Sequence, residues 1–204
     1  MAALASVSAS ASAIAWATAT DKRIETATDP ASLRNFAAQA DRCCLNEGLS
    51  ARAQAELHLT ATAAYGKLAK LHVDQTGNGM KGFRELQKAV TLSPDDPEVA
   101  SSYGRALLIL SHLSWMIRFF ATRALGIDLQ AEMKRDLTML GANPGNPLCQ
   151  ALRQEIAHHL GDAAAEADAR QKLARLAATD PVGVAEAQAK IASDTSSAKT
   201  IKKS

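Results

Sequence analysis

The sequence predicts an all-α fold in which antiparallel helix hairpins stack on one another. Hydrophobic residues make up 47% of the chain but aromatic residues only 4%, and alanine is the commonest residue. This mixture suits closely packed helices and offers little for the core of a β-sheet. Asp-Pro and Asn-Pro pairs recur along the chain, and such pairs are typical of the beginning of a helix. Apolar residues between these pairs return at helical spacing, which favours the same fold class.

Charge and cysteine content narrow the classes of partner. The net charge is +2 and the basic residues are spread along the chain, whereas a nucleic-acid protein usually has a basic stripe with stacking aromatic residues. We therefore expect no nucleic-acid partner. The three cysteines, Cys43, Cys44 and Cys149, form no CxxC pair, so we expect buried thiols and no zinc site.

Residues 1–28 are a leader rich in alanine and serine, which we place outside the folded domain. Its A-x-A patterns resemble the cleavage region of an export signal, but it has no basic n-region and only a weak apolar core. Two interpretations stay open. The first is a disordered or helical leader of a cytoplasmic protein, and the second is a clipped signal segment of an exported or periplasmic one. No transmembrane segment is expected, since no run approaches the roughly 18 apolar residues that a membrane span needs.

Two helices are predicted after the leader. Asp29 and Pro30 supply the cap and the first position of the first helix. Ser50 caps the second, which we expect to run to about Val73, before a break at residues 76–79. The apolar stripes of these helices are Leu33, Phe36, Ala37 and Ala40 in the first, and Ala53, Leu57, Ala61, Ala64, Leu68 and Leu71 in the second.

The turn after residue 93 is the best-defined point of the chain. Pro94 cannot continue the helix predicted over residues 80–93. Asp96 offers a carboxylate to cap the next helix, and Pro97 suits its first position. We therefore expect a helix over residues 97–111 that folds back on its predecessor as an antiparallel hairpin.

The segment from about 113 to 126 is predicted to be a helix in the middle of the core. It holds one of the two tryptophans and half of the four phenylalanines, and aromatic clusters at helical spacing are typical of cores. Its apolar members are Trp115, Met116, Phe119, Phe120 and Ala124.

Four more helices complete a single predicted domain, residues 29–193. Capping residues, prolines and glycine turns place them at about 128–140, 147–159, 162–178 and 181–193. The last stretch, residues 194–204, is polar and ends in lysines, and we expect it to be disordered.

Turn residues recur at the spacing of a known repeat. Gly77 lies 17 residues before Pro94, and Gly161 lies 17 residues after Pro144. In the tetratricopeptide repeat, a helix-turn-helix unit of about 34 residues, small residues and a proline occupy such positions. The other residues that fit this pattern are Ala89, Tyr103, Gly104 and Leu107.

On these residues the chain resembles the tetratricopeptide-repeat-like α-solenoid superfamily over residues 50–181. The interval from Pro94 to Pro144 is 50 residues rather than one repeat, which implies an additional helix near 128–140. The alternative is an irregular all-α bundle built from the same helices.

The polar residues form no recognisable active site. Glu155 and His158 have the i, i+3 spacing of di-iron bundles, but those sites need two such motifs and further carboxylates. His58, His72 and His112 each lack a serine or cysteine nucleophile in a recognisable motif. We therefore expect neither an enzyme nor a bound cofactor or metal.

The resemblance implies a concave groove, lined by the first helix of each hairpin, that holds a peptide or protein segment. Arg105 is the leading residue, because a guanidinium makes forked, charge-assisted hydrogen bonds to a carboxylate. The alternative is that Arg105 pairs with Glu98 or Asp96 on a solvated face. The candidate groove residues are Lys67, Leu71, Glu98, Ser101, Arg105, Leu108, Ile109, Leu148, Ala151, Glu155 and His158.

Two function classes follow. The first is a protein–protein interaction scaffold, with self-association through end helices as a further expectation. The second is an exported binding protein for a small apolar or anionic ligand, accessory to a transport system, in which the apolar segment 106–125 lines a cavity. An enclosed pocket around Trp115 and Phe119 would favour the second class.

Overall fold

The computed structural model describes the backbone of residues 2–45 and 48–201, and the side chains of residues 7–45 and 48–196. Within these residues the chain is all-α and has no strand, which confirms the predicted fold class. The helices are α1 (Ala2–Thr26), α2 (Pro30–Cys44), α3 (Ala51–Lys70), α4 (Gln75–Leu92), α5 (Pro97–His112), α6 (Trp115–Leu125), α7 (Leu129–Gly141), α8 (Pro147–Leu160), α9 (Ala163–Thr179) and α10 (Pro181–Ile201).

Most helices begin next to a capping side chain, at the positions that the sequence predicts. Asp29 accepts hydrogen bonds from the backbone nitrogens of Ala31 and Ser32 at the start of α2, and Ser50 accepts one from Ala53 at the start of α3. These caps satisfy amides that have no partner within the helix. In the same way Asp96, Asp128, Asn146 and Asp162 cap α5, α7, α8 and α9.

The break predicted at residues 76–79 is wrong, because this segment lies inside α4. The chain turns earlier, where His72 and Asp74 take φ angles of +59° and +40°. The Asp74 carboxylate accepts a hydrogen bond of 3.2 Å from the Gly77 nitrogen and so caps α4. An aspartate in the left-handed region, a conformation that its short polar side chain tolerates, therefore makes the turn.

The chain divides into two compact units, Met1–Pro94 and Asp95–Ser204. The predicted single domain over residues 29–193 differs from this division. The predicted hairpin around Pro94 also differs, since α4 packs on α3 in the first unit and α5 packs on α7, α8 and α10 in the second. The best-defined turn of the sequence is thus the boundary between the units.

In the first unit, α3 is the central helix and packs against α1, α2 and α4. The leader predicted to lie outside the fold forms α1, whose Ile24 is buried in a core cluster with Phe36 and Leu68. The ε-amino group of Lys67 on α3 donates a 2.9 Å hydrogen bond to the carbonyl oxygen of Glu25 on α1. The predicted apolar stripes of α2 and α3 are buried, except that Leu71 is half-buried beyond the end of α3.

In the second unit, α8 packs against α5, α7, α9 and α10. Its core includes the ring of Tyr103, which is 1% exposed, with Leu152 and Ile156 of α8. The Tyr103 hydroxyl donates a 2.9 Å hydrogen bond to Oε2 of Glu132 on α7. The pairs α3/α4 and α8/α9 are successive helices in close contact, so the packing is compatible with stacked hairpins.

The predicted disordered tail is instead helical as far as Ile201. Its first residue, Asp194, is buried, so the fold holds the beginning of this segment. Residues 202–204 of the predicted tail lie outside the described residues. None of the helices in the described part of the chain combines the length and apolar composition needed to cross a bilayer.

Candidate functional site

The candidate groove residues are divided between the two units. Lys67 and Leu71 belong to the first unit, and the other nine belong to the second. On α5, Ser101 and Leu108 are buried, whereas Glu98 is exposed. The Ser101 hydroxyl donates to the carbonyl oxygen of Glu98 at 3.2 Å, so it is satisfied within its own helix.

The α8 members of the candidate groove differ in exposure. Ala151 is buried, Leu148 and Glu155 are half-buried, and His158 is exposed. Nδ1 of His158 lies 3.3 Å from Oε2 of Glu166 on α9. Because α5 and α8 pack together, the structure brings these two sets of residues into one unit.

The helix α10 packs on both α5 and α8. Nε of Arg105 donates to Oδ2 of Asp194 at 2.6 Å, and Nη2 donates to Oδ1 at 3.0 Å. The two side chains are 26% and 12% exposed, so this forked ion pair is largely shielded from water. The carboxylate that Arg105 binds therefore comes from the chain itself. It was not among the expected partners, because Asp194 lies 89 residues away in the sequence.

One stripe of α10 faces the unit. Among the α10 side chains that the structure describes, those of Val184, Ala187, Ile191 and Asp194 are buried, and their spacing of three or four places them on one side of a helix. Near the start of α10, Gly183 and Ala187 line a small surface hollow together with Leu148 of the candidate groove.

The prediction that the aromatic helix lies in the middle of the core is wrong. None of the residues of α6 is buried. The exposed fractions of its large apolar side chains are 70% for Trp115, 52% for Met116, 44% for Ile117, 53% for Phe119 and 63% for Phe120. We call these five residues the α6 surface.

The contacts between α6 and α5 explain this exposure. It packs lightly on α5, and Nη1 of Arg118 donates a 2.8 Å hydrogen bond to the carbonyl oxygen of Ser111 on that helix. This contact turns the basic residue, rather than the aromatic ones, toward the rest of the unit.

A hollow of about 520 Å³ lies beside α6. Trp115, Phe119 and Met133 contribute apolar surface to it, while Arg118 and His159 contribute polar groups. Its volume is in the range of ligand pockets. However, it is open to solvent along the exposed side chains of Trp115 and Phe119, and the enclosed pocket that would favour a ligand-binding protein is not what the structure has at this position.

Two imidazole rings meet beside this hollow. The rings of His112 and His159 meet edge to face, with centroids 6.2 Å apart. Burial lowers the pKa of His159, and the nearby His112 and Arg118 lower it further. Partial loss of hydration and the neighbouring positive charge of Arg118 both disfavour the protonated ring.

The first unit contains a half-buried thiol beside a buried imidazole and a buried carboxylate, a cluster that the sequence analysis does not predict. Nδ1 of His58 lies 2.7 Å from Oε2 of Glu85 and 3.7 Å from Sγ of Cys44. A nucleophile–base–carboxylate relay needs both nitrogens of the ring, whereas here both partners meet the same one. Burial and the Glu85 charge raise the pKa of the Cys44 thiol to about 12, which is opposite to the shift of an activated cysteine.

The Glu85 carboxylate is well satisfied. Burial favours its neutral form, but hydrogen bonds with His58 and with the ammonium group of Lys88, at 2.7 Å each, outweigh burial and lower the pKa of Glu85. We interpret this cluster as structural: the hydrogen bond between His58 and Glu85 joins α3 to α4, and the ion pair between Lys88 and Glu85 lies within α4.

Asp136 on α7 is a buried carboxyl group whose pKa shifts in the direction opposite to that of Glu85. It is 0% exposed, and neither carboxyl oxygen has a hydrogen-bond partner among the described residues. Burial raises its pKa well above the usual range, so the neutral acid is favoured. The sequence contains a signal for this position, since Met133, Asp136 and Leu140 have the spacing of one helix face.

Among the described residues, no group of three or more His, Cys, Asp or Glu side chains is placed to hold a metal ion. No protein-family model matches the chain, and no curated protein or solved structure matches it.

Proposed function

We propose that the protein is an interaction scaffold whose second unit accepts an amphipathic, carboxylate-bearing helix across α5 and α8. One observation carries the proposal: α10 lies on these two helices and presents Asp194 to the fork of Arg105. A tetratricopeptide-like groove, which the sequence pattern favours, would have the same use. The partner in this proposal is a protein helix that takes the place of α10.

The composition of α10 supports its replacement by a partner. As far as residue 196, its buried stripe consists of one valine, one alanine, one isoleucine and one aspartate. Burying a whole valine or isoleucine side chain contributes only about 1.5–3 kcal/mol. A partner helix with larger apolar residues at the corresponding positions, and a carboxylate opposite Arg105, would therefore compete with α10.

The charge pair gives a direct test in the full-length protein. A labelled peptide with the sequence of residues 181–201 is added to the wild type and to Asp194→Lys, and binding is followed by fluorescence anisotropy. The substitution sets an ammonium group against the guanidinium of Arg105 and weakens the seating of α10. We expect the variant to bind the peptide at least about tenfold more tightly than the wild type, given that charge-assisted hydrogen bonds contribute about 1.5–3 kcal/mol.

A matched control makes the same change of charge elsewhere on α10. Glu186 is exposed, and Glu186→Lys should bind the peptide no better than the wild type. The charge-swapped variant Arg105→Glu/Asp194→Lys should seat α10 again and exclude the peptide. Equal binding of the peptide by Asp194→Lys and Glu186→Lys would contradict the proposal.

A further inference from the structure

The α6 surface is a second candidate interface, independent of α10. Its five large apolar side chains, Trp115, Met116, Ile117, Phe119 and Phe120, are all more than two-fifths exposed. Soluble proteins rarely leave such side chains contiguous and open to water without a use for them. The rings of Phe119 and Phe120 lie edge to face with centroids 5.5 Å apart, which joins them into one patch.

The shape of the α6 surface indicates the kind of occupant. Successive residues of a helix are turned by about 100°, so these five side chains cover roughly 200° of the circumference. A groove on a partner protein reads a narrower stripe at positions i, i+3, i+4 and i+7. A helix that lies half immersed in the boundary between lipid headgroups and acyl chains exposes a wide apolar arc of this kind, often with tryptophan and phenylalanine.

The charged residues of α6 indicate the charge of the lipid headgroups at that boundary. Arg118 and Arg123 are its only ionisable residues, and neither has an acidic neighbour within the helix. The first acidic residue after α6 is Asp128, whose carboxylate accepts hydrogen bonds from the backbone nitrogens of Gln130 and Ala131. Arg118 is bonded to Ser111, so the exposed arginine is Arg123. Two copies of α6 facing each other would bring their Arg123 side chains together, whereas anionic headgroups would attract Arg123.

We propose that the α6 surface docks on a membrane surface that carries anionic lipids, with α6 lying in the plane of the interface. The large apolar side chains enter the acyl boundary. The long side chain of Arg123, which is exposed, extends from the last turn of α6 to the headgroups. Arg118 stays bonded to the carbonyl oxygen of Ser111 and holds α6 to α5.

Vesicle binding by the full-length protein tests this. The chain has two tryptophans, so a Trp16→Phe background leaves Trp115 as the single tryptophan fluorophore. Vesicles of phosphatidylcholine alone are compared with vesicles of phosphatidylcholine mixed with phosphatidylglycerol. We expect a blue shift of Trp115 emission and co-sedimentation with the mixed vesicles, at least about tenfold stronger than with the neutral ones and weaker at high salt.

Two pairs of variants separate the α6 surface from general stickiness. Phe119→Ser/Phe120→Ser should abolish co-sedimentation without changing the circular dichroism spectrum. Val182→Ser, at another exposed apolar residue of the same unit, should bind like the parent. Arg123→Glu should lower binding to the mixed vesicles about tenfold, while Arg175→Glu, at an arginine of α9, should lower it much less.

Three results would overturn the proposal. One is equal binding to neutral and anionic vesicles, and another is no binding to either. The third is a dimer in sedimentation experiments without lipid that the Phe119→Ser/Phe120→Ser variant converts to a monomer, since a second copy would then be the occupant.

Discussion

In the second unit, a comparison of α6 with α10 shows that the spacing of apolar residues along a helix, rather than their number, decides whether the helix is buried. The buried residues of α10 are mostly small or polar, yet they form one stripe, from Val184 to Asp194, that packs on α5, α8 and α9. The α6 surface is far more apolar, but its side chains spread around the helix, and none of its residues is buried. A neighbouring helix can cover one stripe, so a helix that is apolar on several sides leaves some of them to solvent or to a partner.

Substitution at Tyr103 should have the largest effect on stability. It tests the covered side of this comparison, which is the buried interior of the second unit. The ring is 1% exposed on α5, the helix on which both α6 and α10 pack. We expect Tyr103→Ala to lower the free energy of unfolding by about 3–5 kcal/mol, measured by urea denaturation.

A conservative control separates the Tyr103 ring from its hydroxyl group. Tyr103→Phe keeps the ring and loses the hydrogen bond to Glu132, and it should cost about 1 kcal/mol. If Tyr103→Ala cost no more than a substitution at an exposed site, the covered side would not be packed as described.

Asp136 sharpens the comparison through pH. Its pKa is raised by burial, so the folded chain keeps a proton that the unfolded chain releases above about pH 4. Stability should therefore fall as pH rises. The wild type should lose up to about 1.4 kcal/mol per pH unit relative to Asp136→Asn, which cannot ionise.

Urea denaturation of the Asp136→Asn variant and the wild type at several pH values measures this difference. The two stability curves should run parallel below about pH 4, where the carboxyl group is protonated in both states of the chain, and diverge above it. Curves that stay parallel across the whole range would show that the Asp136 carboxyl group is solvated in the folded protein.

The smallest effect on stability is expected at the α6 surface, which is open to solvent. Phe120 is 63% exposed, so Phe120→Ser should change the free energy of unfolding by no more than about 0.5 kcal/mol. Thermal denaturation followed by circular dichroism measures this. A loss comparable to that of Tyr103→Ala would place α6 in the core and remove the contrast between the two helices.

Local features of the sequence were enough to predict most of the helices. The caps Asp29, Ser50 and Asp96 and the apolar stripes of α2 and α3 act within a few residues of chain, so their effects can be read without tertiary information. The turn at Asp74 was missed because glycine usually marks such a conformation, and here an aspartate adopts it.

The candidate site depended on long-range contacts that no local pattern contains. The sequence indicates that Arg105 is suited to bind a carboxylate, and its place in a partner groove stays a prediction; nothing near it in the sequence indicates that Asp194 supplies the carboxylate within the chain. The exposure of α6 differs from the prediction because clustered aromatic residues are typical of cores, whereas the apolar residues of α6 spread over a wider arc than one neighbouring helix covers. The wide arc over which the apolar residues of α6 spread is the signal in the sequence that indicates their exposure.

The close approach of α5 and α7 at Gly104 restricts how this sequence can evolve. A Cβ atom at Gly104 would lie 2.6 Å from Oδ2 of Asp136 and 3.3 Å from Cδ1 of Ile156. A larger residue there would therefore require the buried Asp136 carboxyl group to shift, unless the side chain at position 136 became smaller. Positions 104 and 136 should therefore covary among descendants of this chain, with glycine retained wherever the acid is retained.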